Sequence, residues 1–169
     1  MTLAQGFACT KCGAHHEDIP LSIGFALPDF ANKVPIWEKS LRINSTEDWA
    51  IVDEKHHYLR GCLEVPVLST PDKFVFGVWC AIGEEDFYTI MDLWETEGRE
   101  KEEPFDVTIA NAIPCYEDTL GLAAELHLQK VGDRPQLEIK SSVHLLCVHQ
   151  LKGMPEKTLL DIATVLIHK

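Results

Sequence analysis

The chain predicts an α+β fold: a largely antiparallel sheet with flanking helices, preceded by a C-x-x-C zinc-knuckle-like segment. Three observations carry this. Short runs that alternate or are wholly apolar follow one another between turn formers from Ile51 onward, the mark of hairpin-connected strands. Two stretches, Phe87–Trp94 and Leu159–Leu166, instead repeat apolar residues every three or four positions, as a helix with one buried face does. Strands mostly in hairpins with helices between and after them argue for α+β. The third observation is Cys9-Thr10-Lys11-Cys12-Gly13-Ala14-His15-His16, two thiols on a tight turn followed by imidazoles, which is half of a zinc site.

Taken in order, residues 1–20 are a short polar segment, and residues 21–50 are punctuated by Pro28 and Pro35. A turn or two of helix is expected over Lys33–Leu41, with Val34, Trp37 and Leu41 on one face. Tyr58–Val67 alternates at its end (Leu63, Val65 and Val67 against Glu64 and Pro66), and Pro66 marks an edge or a strand end. Ser69-Thr70-Pro71-Asp72 is a turn. Phe74–Ile82 is almost continuously apolar and reads as a strand buried on both faces. Gly83 ends it, and Glu84, Glu85 and Asp86 suit the positive end of the following helix. Glu95–Glu103 is charged and is expected to be an exposed, mobile loop. Val107–Ala112, Leu120–Lys130 and Gln136–Val143 read as strands, the last two joined by a hairpin over Val131–Pro135. Leu145–Val148 continues apolar, and Pro155 opens a last helix. No linker is long or polar enough to divide the chain, so one domain over residues 1–169 is expected, with segment 1–20 packed on it.

Composition narrows the function classes. Of 169 residues 46% are apolar and 25% charged, which is ordinary for a globular protein. The net charge of -12, from 27 acidic against 15 basic residues, repels phosphate backbones and anionic lipid surfaces. It therefore argues against nucleic-acid and membrane-surface binding and would suit a basic protein partner. Met1–Gln5 lacks the basic and apolar regions of a signal peptide, and no apolar run is long enough to span a bilayer. A cytoplasmic location is the resulting expectation, and the six cysteines then read as thiols or ligands rather than a disulfide framework. Cys62, Cys80, Cys115 and Cys147 stand alone in apolar surroundings, as buried thiols do. Trp37, Trp49, Trp79 and Trp94 read as core anchors, any exposed one marking a binding patch.

Zinc takes four ligands in a tetrahedron. Cys9 and Cys12 supply two, His15 or His16 a third, and the fourth must come from far along the chain: His144, Cys147, His149, His56 or His57. Two thiolates with a histidine favour a structural over a hydrolytic site. His56-His57 beside a charged turn reads as solvated. Arg60 and Glu64, four apart on one strand, share a face and read as a salt-bridge or pocket pair.

Several blocks, in order, resemble the bacterial domain-of-unknown-function 2199 family. They are Cys9-x-x-Cys12-Gly13-x-x-His16; Tyr58-Leu59-Arg60-Gly61-Cys62-Leu63-Glu64-Val65-Pro66-Val67; Phe76-Gly77-Val78-Trp79-Cys80; Ile113-Pro114-x-Tyr116-x-x-Thr119-Leu120; and Arg134-Pro135-Gln136-Leu137-Glu138 leading to His144-Leu145 and Gln150. His16 rather than His15 falls at the family's histidine. Leu145 stands where the pattern has a proline, and Ala50 where many members carry a cysteine. The resemblance implies no activity. The predicted metal set is Cys9, Cys12, His16 and His144. The predicted function is a binding, interaction or regulatory module with structural zinc. The alternative is a zinc-dependent enzyme, a hydrolase, with an open metal position near Arg60, Glu64 or His144.

Overall fold

The computed structural model describes residues 6–68, 70–141 and 143–168, so the expectations for Met1–Gln5, for Ser69 and, within the strand expected over Gln136–Val143, for Ser142 lie outside it. The chain begins with β1 (Phe7–Ala8), β2 (His15–His16), β3 (Ser22–Gly24), α1 (Asp29–Asn32) and α2 (Lys39–Arg42). Next come β4 (Ile43–Ser45), β5 (Trp49–Val52), β6 (His56–Pro66), β7 (Lys73–Ile82) and α3 (Glu84–Leu93). It finishes with β8 (Phe105–Ile109), β9 (Ala123–His127), β10 (Gln136–Ile139), α4 (Leu145–Lys152) and α5 (Glu156–Ile167).

β6 and β7 form the long antiparallel hairpin at the centre, in register from His57↔Ile82 to Pro66↔Lys73. Leu59, Leu63 and Val65 face Cys80, Phe76 and Phe74 across it, and all six are fully buried. β8, β9 and β10 continue the sheet from β7, and β10 returns to β6, closing a five-stranded barrel. The sheet is therefore not purely antiparallel. Around a closed ring of five strands that alternate in direction, the fifth points the same way as the first, so one parallel pair is unavoidable. That pair is β10 with β6, at Gln136↔Cys62. A second parallel pairing adds β3 to the N-terminal half of β7, while β5 and β4 extend the sheet from β6.

α3 packs Phe87 and Ile90 inward, and α5 packs Leu159, Ile162 and Ala163, close to the expected stripes. Leu145–Val148 differs: it is the start of helix α4, not sheet. The His144 ring caps that helix, its Nδ1 accepting the Leu146 N–H at 3.1 Å. Gln150 then plays the part of a neighbouring strand for β10, accepting from Ile139 N and donating to Leu137 O.

The outer face of β7 is covered by residues 25–34, which explains its nearly continuous apolar run. Trp79 is completely buried there, among Ala31, Val34, Tyr58 and Ala110. Asn111 ties the layers: its Oδ1 accepts Trp79 N, and its Nδ2 donates to Leu27 O and Asp29 Oδ1. Of the helix expected over 33–41 a single turn forms, as α2 from Lys39, and the expected apolar face is not buried as a whole. Helix exists only at α1 and α2, and although Val34 is buried, Trp37 and Leu41 are 76% and 86% exposed.

Segment 95–103 is exposed as expected except at Gly98 and Arg99, and Arg99 anchors it. The Arg99 side chain is buried and donates four hydrogen bonds, to Trp94 O, Gln129 O, Lys130 O and Asp133 O, with its guanidinium 5.0 Å over the Trp94 ring. Arg99→Ala strips these carbonyls of their donor and is expected to cost about 3 kcal/mol or more. Trp37→Ser is expected to stay within about 0.5 kcal/mol. Urea unfolding of both variants checks the contrast.

Candidate metal centre

β1 and β2 form a minimal hairpin, Phe7↔His16 and Ala8↔His15. The turn between them is closed by Cys9 N–H to Ala14 O and Gly13 N–H to Cys9 O, both 2.9 Å. Gly13 has φ +70°, a left-handed conformation that a side chain would oppose. This tight return turns both thiols to one side. Alternation along β2 then separates the histidines: His16 is half-buried, and His15 is exposed on the opposite face.

The fourth group comes from the end of α5. His168 Nε2 lies 3.1 Å from Cys9 Sγ, and His16 Nε2 lies 3.4 Å from Cys12 Sγ. The four ligand atoms of Cys9, Cys12, His16 and His168 all lie within 4.8 Å of one another. A tetrahedral zinc with bonds of about 2.3 Å to sulfur and about 2.0 Å to nitrogen has an S···N edge of about 3.5 Å, so this donor set fits the ion. Phe7 and Cys9 pack against Ala163 of α5, with Ile19 and Leu160 beside them, and this small cluster sets the knuckle at the distance His168 needs. Burial raises the Cys9 thiol. Hydrogen bonds from the Cys12 backbone, the His168 ring, the Lys11 backbone and the Cys12 side chain outweigh burial and bring it down to about 6. None of the six cysteines is in a disulfide.

The other expected ligands lie elsewhere. His144 caps α4, and its Nε2 is 2.7 Å from Glu117 O, so both ring nitrogens are engaged outside the thiol cluster. Cys147 and His149 are buried in the same helix, where His149 Nδ1 meets the Tyr116 hydroxyl at 2.8 Å. Of the remaining lone cysteines Cys80 is buried, Cys62 half-buried and Cys115 exposed. His57, expected in solvent, is buried against Phe87 and Tyr88, and the His56 ring lies tilted against Phe30. Glu64 pairs with Lys73 at 2.7 Å, not with Arg60, whose guanidinium lies across Gly24 and Gly77. His168 had no spacing signal to find it by, being 159 residues from Cys9.

A model of the domain-of-unknown-function 2199 family, described as an uncharacterized protein conserved in bacteria, matches residues 8–154. No curated protein and no solved structure matches the chain. Since its ring works as a helix cap, His144→Ala is expected to lower stability by about 1 kcal/mol. It should leave metal content as in the wild type, as urea unfolding and elemental analysis will read.

Proposed function

We propose a function from one premise: the chain belongs to this family of uncharacterised bacterial proteins. It is a metal-stabilised binding module, in which zinc held by Cys9, Cys12, His16 and His168 fastens the β1–β2 knuckle to α5. The observation that carries the reading is the convergence of two sulfurs and two ring nitrogens from opposite ends of the fold. Four protein ligands leave no position for water or substrate, which favours a structural ion over a catalytic one. Six free thiols suit a reducing compartment, in keeping with a cytoplasmic protein. Among the described residues no helix is long and apolar enough to cross a membrane.

The binding half of the reading is supported by Ile36, Trp37 and Leu41, large apolar side chains left mostly exposed within six residues. The net charge of -12 suits a basic protein as the partner.

Protein purified without chelator is expected to hold one zinc per chain. Cys12→Ser and His168→Ala each remove a ligand at a site that is not fully buried, so neither opens a core cavity. Each should lose the zinc and melt lower by about 5 °C or more, and a strong chelator should reproduce the shift in the wild type. An absence of zinc, or a bound ion whose removal leaves the melting temperature unchanged, defeats the reading.

A further inference from the structure

A second group of metal-ligating side chains stands on the outer face of the barrel. Glu125 and His127 lie two apart on β9 and so share a face. Glu138 on β10 is paired directly with Glu125, and Gln136 with His127. One ligand atom from each of Glu125, His127 and Glu138 falls within 4.8 Å of the others. We propose that these three residues form a divalent-cation site of nitrogen and carboxylate oxygen donors, distinct from the thiolate centre and open on one side.

The distances distinguish a metal cradle from an ordinary ion pair. His127 Nε2 is 3.4 Å from Glu138 Oε2 and 3.6 Å from Glu125 Oε2. An imidazolium donating to a carboxylate closes to about 2.7–2.9 Å. Two donors bound to one ion by bonds of about 2.1 Å stand about 3.0–3.4 Å apart, which the shorter separation meets and the longer one nearly does. His127 Nε2 is also shut off from water and has no hydrogen-bond partner. The side chain as a whole is half-buried, and this nitrogen is the atom of it left for a cation to engage.

Lys140 orients the set rather than filling it. Its Nζ lies 3.3 Å from Glu125 Oε1 and 2.8 Å from Asp106 Oδ1, leaving Glu125 Oε2 turned to His127. A hollow of about 400 Å³ borders His127 and Glu138, with Gln129, Gln136, Glu64 and Lys73 also on its walls. Three protein donors leave coordination positions facing that hollow for water or an oxygen-bearing ligand. One imidazole with two carboxylates is a harder set than two thiolates with two imidazoles, so it accepts Mn²⁺ where the thiolate centre prefers zinc.

The test is a Mn²⁺ titration of the full, zinc-loaded chain, read by loss of the free-ion electron paramagnetic resonance signal. One Mn²⁺ per chain is expected, with zinc content unchanged. His127→Gln and the exposed Glu138→Gln should each weaken uptake tenfold or more while keeping the wild-type circular dichroism spectrum and zinc. No uptake, or uptake equal in the wild type and in folded variants, overturns the site. Because the readout is Mn²⁺ and not zinc, a failure of the thiolate centre leaves this result independent.

Discussion

The antiparallel ladder between β6 and β7 is the constraint on which the rest of the structure depends. Its register puts Leu59, Leu63 and Val65 on one side with Phe74, Phe76 and Cys80, and a slip of one residue would turn that whole set outward. Both strands are long enough to serve two neighbours each. β6 pairs with β5 along one half and meets β10 at Cys62, while β7 carries β3 and β8 on separate halves. Barrel closure and the outer layer on Trp79 are both consequences of that length. So is the placement of β9 and β10, whose shared outer face carries Glu125, His127 and Glu138.

Closure also places the Cys/His cluster. α5 lies on the barrel because Leu159 and Ile162 are buried in the main core. Ala163, the next residue, lies instead in the small cluster with Phe7 and Cys9. One helix thus belongs to two cores, and its last turn delivers His168 to the knuckle. The ligands that are close in sequence need only a tight turn with Gly13 at positive φ; the distant one needs the whole fold.

This division explains what was legible in the sequence. The knuckle is local: spacing picked out Cys9 and Cys12 and left His15 or His16 as the third donor, and the family resemblance chose His16. His168 could not be found this way, because nothing in its own neighbourhood differs from a solvent-facing histidine at the end of an amphipathic helix. Apolar periodicity located α3 and α5 because each buries one stripe. It failed at Leu145–Lys152, where the deciding signals are a histidine cap and a glutamine that bonds the edge of β10. It failed again at 33–41, whose apolar residues are mostly left in solvent. Charge misled at 95–103: Arg99 is an inward anchor whose partners are backbone carbonyls, and carbonyls leave no mark in a sequence. Hairpin spacing revealed strand directions but not closure, so the parallel pair that a five-membered ring requires went unforeseen.

The knuckle has little of its own to hold it. Each of its strands is two residues long, and a short isolated hairpin is marginal in water. Among its described residues Phe7 and Cys9 are the buried apolar ones, packed on Ala163 with Ile19 and Leu160 beside them. Burying a thiol in that setting favours its neutral form, yet backbone N–H groups and the His168 ring are directed at it and favour the thiolate. Local structure and packing therefore oppose each other at Cys9 in the metal-free chain. A divalent ion held there would remove the opposition, neutralising the thiolates and engaging both imidazoles while adding cross-links that the hairpin and its small apolar contact lack.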